Sequence, residues 1–222
     1  MHTGGITRRH LVAGALALAL AACTPAAGQE PSAAPSPPPR YFGLDHYGNL
    51  TLMMSEQEAL ATGDLQPTPV ATLLGRNVYS FTGGPTPDAS RMAADTKIEK
   101  DVAEAESGAF GDSSQGTADA ARVYAASASR VAARMLEFQS SGGASYLDGA
   151  LDTIAAPPGA VTEAGIHRGS TLTEVQTAYA AKGLTQTSAT LYEVPVPGRA
   201  GWVLLLTFGK DTVTYMSLGK AG

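Results

Sequence analysis

The 222-residue chain has one cysteine, one tryptophan and four histidines, and only 16% of its residues are charged. A single thiol cannot close an internal disulfide, and it cannot supply a cysteine-based zinc or redox site. His2 and His10 fall in the first ten residues, which leaves His46 and His167 for the remainder of the chain. No Gly-x-Ser-x-Gly elbow, paired-histidine helix or phosphate-binding loop occurs, so the signatures of common hydrolases, zinc peptidases and nucleotide-binding folds are missing. The uncharged run Leu11–Ala22 is too short to cross a bilayer, which takes about 20 apolar residues. These shortages predict a protein that is not an enzyme and that needs no cofactor or metal.

What is present begins with that short run. Arg8 and Arg9 precede it as a positive n-region, and Ala21-Ala22 lead into Cys23, the sole cysteine. This order of charge, apolar stretch and small residues reads as an export signal over 1–22. Leu20-Ala21-Ala22-Cys23 resembles the lipobox of bacterial lipoproteins. The resemblance implies cleavage before Cys23, a diacylglycerol on its thiol and an acylated amino terminus; two or more chains on one residue anchor stably where one would not. The expected location is the outer face of the cytoplasmic membrane. Thr7-Arg8-Arg9-His10-Leu11 also resembles a twin-arginine signal, and the export route stays open.

Without residues 1–22 the chain keeps 13 basic against 20 acidic side chains, a net of −7. That sign argues against nucleic acid as a partner, since binding there needs a basic stripe. It argues equally against electrostatic adhesion to anionic lipid. Residues 23–40, rich in Pro, Ala and Ser, read as a solvated linker. In polyproline geometry it would span about 50 Å at ~3.1 Å per residue.

From Tyr41 onward two kinds of pattern alternate. Leu50-Thr51-Leu52 reads as a strand, and Ser55 with Glu58 forms a capping box for a short helix ended by Gly63. Residues 76–82 alternate as a strand, with Val78 and either Tyr79 or Phe81 facing inward. Two helices follow, at 88–107 and about 117–138. On the second, Tyr124, Ala128, Val131, Met135 and Phe138 form one apolar stripe, expected to face the core. The acids Asp95, Glu99, Asp101, Glu104 and Glu106, interleaved with Lys97 and Lys100, read as a solvated helix face and not as a calcium loop. Asp148-Gly149 is a type I′ hairpin signal. A helix at 172–181 and strands at 190–194, 202–208 and 212–218 complete a meander. The stretch 50–59 lies over 166–175, with Ser55 against Thr171 and Glu58 against Glu174, which suggests an internal duplication.

The chain resembles secreted actinobacterial lipoproteins whose halves fold like the repeats of beta-lactamase inhibitory protein. The resemblance rests on Tyr47-Gly48-Asn49-Leu50-Thr51-Leu52-Met53-Met54-Ser55 with Glu58–Gly63, then on Ala156–Gly159, Gly165-Ile166, Gly169-Ser170-Thr171, Glu174-Val175 and Tyr179. Met53 replaces the glycine that usually precedes Met-Ser, and the cysteine pair common in the first half is missing. The resemblance implies an α+β fold of two tandem helix-on-antiparallel-sheet units, and protein binding on an open sheet face. The units divide at 41–158, with a helical insert at about 84–140, and 159–222. Tyr192, Trp202 and Tyr215 are the candidate binding aromatics, although Trp202 shares a strand face with Leu204, Leu206 and Phe208. His46 beside Asp45 is the candidate acid or base, with His167 behind it. The reading is a lipid-anchored, non-enzymatic surface protein that binds an envelope protein or wall component. A hydrolase or small-ligand carrier with a site between the halves, and a chaperone-like assembly lipoprotein, are the alternatives.

Overall fold

The computed structural model describes residues 40–221, so Cys23 and the signal and linker readings lie outside the described residues. The first half opens with β1 (Tyr41–Phe42), β2 (His46–Tyr47), β3 (Leu50–Thr51) and α1 (Glu56–Ala61), followed by β4 (Ala71–Leu73) and β5 (Arg76–Tyr79). Helices α2 (Ala89–Glu106) and α3 (Ser114–Ser141) intervene before β6 (Gly143–Leu147) and β7 (Ala150–Ala155). The second half holds β8 (Val161–Thr162), α4 (Leu172–Tyr179), β9 (Thr185–Gln186), β10 (Leu191–Pro195), β11 (Trp202–Gly209) and β12 (Thr212–Lys220).

Eight strands form one sheet in the order β4-β5-β6-β7-β12-β11-β10-β9, with every neighbouring pair antiparallel. Each half supplies a four-stranded meander, and the two meanders join through their last strands. The order is a palindrome, and a pseudo-two-fold axis passes through the Ala155–Ser217 pair. The N-caps repeat on either side of that axis. Ser55 bridges to Ala150 at the start of β7, and Thr171 bridges to Thr212 at the start of β12. Each accepts from the backbone of a glutamate three residues on, Glu58 or Glu174, whose carboxylate reaches back to the cap. Asp148 and Gly149 both have positive φ, 50° and 74°, as the type I′ turn requires.

The mixed α+β architecture expected from sequence is present, but the halves are not separate layers. They share the large sheet, and a small sheet β3-β2-β1-β8 joins first-half strands to β8 through a parallel β1–β8 pair. One core lies on the inner face, where α1 and α4 pack through Ala59, Val175 and Tyr179 onto Tyr146, Ile154, Leu204, Leu206, Met216 and Leu218. Fully burying one such large side chain contributes about 1.5–3 kcal/mol. Tyr79 and Phe81 both belong to this core, whereas Val78 belongs to a smaller one on the outer face with Val70, Ala71, Leu73, Phe138 and Ala155.

The helical pair departs from the sequence reading in two ways. Of the α3 stripe only Phe138 is buried and Val131 partly so; Tyr124 and Met135 are 45% and 40% exposed. The α2–α3 seam is ionic instead. Arg91, Asp95 and Glu99 on successive turns of α2 meet Glu137, Arg134 and Arg130 on α3 at 2.8 Å each. Asp95, expected on a solvated face, is therefore buried and holds Arg134 with both oxygens. α3 ends at Gly142, and Gly143 lies so close to β5 that a Cβ there would collide with the Tyr79 carbonyl oxygen. This tight passage seats the hairpin base on the outer face.

Candidate functional site

The site originates in a one-residue irregularity. Ser145 on β6 pairs with Thr153 and Tyr146 with Leu151, so β7 carries Asp152 as an extra residue. A bulge of this kind bends the strand and re-aims a side chain. Asp152 joins Thr153 on the outer face, where both line a groove of about 380 Å³. That volume lies within the range of small-ligand pockets, about 300–1,000 Å³.

Leu73, Leu74 and Val78 form one wall of the groove, Leu205 and Tyr215 the other, and Met135 and Phe138 of α3 the roof. Polar groups converge at one place on this apolar lining. Arg76 on β5 donates from Nε to Asp152 Oδ2 at 2.9 Å. The hydroxyls of Ser145 and Thr153 donate to the same oxygen at 3.4 and 3.3 Å. Ser217 on β12 completes the set, almost fully buried. Burial pushes the Tyr215 phenol up to about 12, with Ser217 and the Arg168 charge opposing the rise. Tyr215 is therefore a neutral hydroxyl at physiological pH.

Strands of both halves build the groove, and a second-half residue fixes its roof. Arg168 donates to the carbonyl oxygens of Gln139 and Ala156 at 2.7 Å each, capping the C-terminus of α3 against the body. A cation there also complements the negative end of the helix.

The candidate aromatics do not assemble into one surface. Tyr192 is buried on the inner face with its ring edge-on to Phe208, 5.1 Å between centroids. Trp202 packs partly buried against the inner core and borders a second, more open and more polar pocket with Met53 and Met54. Tyr215 alone faces the outer groove. His46 pairs with its neighbour Asp45 at 2.8 Å, and His167 Nδ1 lies 2.7 Å from Ser170 Oγ within a local turn. Neither histidine lines the groove. Among the described residues no group of three His, Cys, Asp or Glu side chains is placed to hold a metal. Nor is any helix among them long and apolar enough to cross a membrane.

Arg76, Ser145, Asp152 and Ser217 escaped the sequence reading, although one signal was available. Leu151 and Ile154 are apolar at a spacing of three inside a strand, which breaks the two-residue alternation and marks a bulge. No protein-family model matches this chain, and no curated protein or solved structure matches it either.

Proposed function

We propose that this is a lipid-anchored, non-enzymatic binding module of the cell envelope, held at the membrane through Cys23 and binding through the outer-face groove where its halves meet. The observation that carries this reading is the groove itself: an apolar slot at the joint of a duplicated sheet, with Arg76, Ser145, Asp152, Thr153 and Ser217 converging from β5, β6, β7 and β12. A convergence of few polar groups on an apolar cavity is how ligand sites fix orientation. The histidines, the residues most suited to proton transfer, stand away from it. A site between the halves favours a carrier of small ligands. The exposed rim residues Leu74 and Met135 favour a second reading, a partner protein seating an apolar side chain in the same slot.

A photo-reactive residue at Met135, in protein acylated at Cys23 and kept in its envelope, tests the binding face. The expected result is an adduct from Met135 and none from a probe at Thr207 on the uncovered half of the same sheet face. Equal capture from both positions would overturn the assignment. For the anchor, Cys23→Ala should abolish palmitate labelling, and label persisting on the variant would refute it.

A further inference from the structure

The Arg76–Asp152 pair inside the groove says what kind of molecule the groove takes. Resting on the reading of the groove as a binding site, we infer that it binds a neutral amphipathic molecule: an apolar body with a head that both donates and accepts hydrogen bonds, such as a carboxamide.

Three observations lead there. The walls and roof are mainly Leu73, Leu74, Val78, Leu205, Met135 and Phe138, which suit an aliphatic or ring body, with Gln139 and Tyr215 the polar residues among them. The two formal charges in the lining, Arg76 and Asp152, bond to each other at 2.9 Å and neutralise one another. An ionised head would therefore meet its attractive partner and its repelling one together, and would lose part of its hydration with no net charge to offset the loss. The pair still retains capacity for a neutral head. Asp152 takes its hydrogen bonds from Arg76, Ser145 and Thr153 all on Oδ2, which leaves Oδ1 to accept. Arg76 uses Nε for Asp152 and Nη1 for the Leu74 carbonyl at 3.3 Å, which leaves Nη2 to donate. A carboxamide matches that acceptor and donor with one N–H and one C=O.

The residue at the bulge, not the bulge itself, makes the arrangement specific to the first half. At the equivalent place in the second half, β12 carries Thr214 as its extra residue, exposed and donating to the Thr207 carbonyl on the neighbouring strand at 3.1 Å. Among the described residues no ion pair faces the surface there, and no helix roofs it.

The test uses three probes of equal length: n-octanamide, n-octanoate and n-octylamine. Each is titrated at pH 7 into the chain from residue 23 onward, carrying Cys23→Ser so that no detergent competes, with methyl NMR as the readout. Octanamide is expected to move the Leu205, Met135 and Val78 methyl signals, with the two ionised analogues about tenfold weaker or worse. Asp152→Asn leaves Arg76 unneutralised and should invert the preference between octanamide and octanoate; Arg76→Gln should do the same for octylamine. Unchanged methyl dispersion verifies that each variant folds, and the wild-type series decides the matter without them. Ionised analogues binding as tightly as the amide would overturn this inference while leaving a binding groove in place. No shift with any probe, but a protein adduct from Met135, would assign the groove to a protein and sink the inference. No shift and no adduct would remove the binding reading as well.

Discussion

The two halves of the sheet are alike on one face and unlike on the other. On the inner face the N-caps Ser55 and Thr171, the capping glutamates Glu58 and Glu174, and the edge-on pairs Tyr79–Tyr146 and Tyr192–Phe208 occupy matching places. Even the bulge repeats, since Thr207 pairs with Tyr215 and Phe208 with Val213, leaving Thr214 extra as Asp152 is in the first half. On the outer face Asp152 stands against Thr214 and Thr153 against Tyr215, and among the described residues only the first half is covered by helices. A packed core tolerates few arrangements, so both copies hold the same one. The outer face lies away from that shared core, and there the same backbone supports a roofed slot with an ion pair on one side and, among the described residues, a surface without a helix on the other.

The largest expected effect breaks the unlike face. Asp95→Ala would strip Arg134 of its two-oxygen partner and leave it only Glu137 at 3.4 Å, and removing one member of a buried pair costs about 3–5 kcal/mol. Hydrogen exchange should then show α2 and the outer turns of α3 opening while β10–β12 stay protected. Uniform loss of protection would mean that the hairpin and sheet fold as one unit.

Next comes the alike face. Ile154 and Met216 hold equivalent, fully buried places in the shared core, so Ile154→Ala and Met216→Ala should each cost about 2–5 kcal/mol. Urea unfolding should remain a single transition in both variants, because one core spans both halves. Two separated transitions would show that the halves fold independently.

A smaller effect compares the caps. Ser55→Ala and Thr171→Ala should each destabilise by about 1 kcal/mol, and by similar amounts. Their glutamate partners extend the comparison to pH. Hydrogen bonds from the cap hold the carboxyls of Glu58 and Glu174 below the usual glutamate value of 4.5. A carboxyl with a depressed folded-state pKa adds stability above the unfolded value, and that stability is lost as pH falls through the folded one. The acid side of the stability curve should flatten to the same degree in Glu58→Gln and Glu174→Gln. A response confined to one variant would break the equivalence.

Legibility from sequence followed the same division. The capping boxes, the Asp148-Gly149 turn, the closing meander and the 50–59 to 166–175 match depend on a few neighbouring residues, and all of them are found in the structure. Strands β1, β2, β4, β8 and β9 were not legible, because two or three residues carry no periodic signal and form only beside a partner. The joining of β7 to β12 is long-range, and no local pattern encodes it. The helical pair misled because its Arg, Asp and Glu residues are also what a solvated helix presents. Only their facing partners on the other helix, 91 with 137, 95 with 134 and 99 with 130, turn that composition into a seam. The aromatic triplet failed as a surface for a related reason: alternation fixes which residues share a strand face, yet not which face the core will claim. The groove is the hardest case, since a slot between strands of both halves and a helix roof exists only in the assembled fold.

The account stands or falls on that slot being where binding happens. Thr153→Trp places an indole where the outer wall opens toward Leu205 and Asp152, filling the groove without touching the inner core. Titrating n-octanamide into this variant and into the parent chain is the most direct comparison. Methyl shifts are expected in the parent and none in the variant, with the two melting temperatures within a few degrees. Undiminished shifts in a folded Thr153→Trp protein would contradict it.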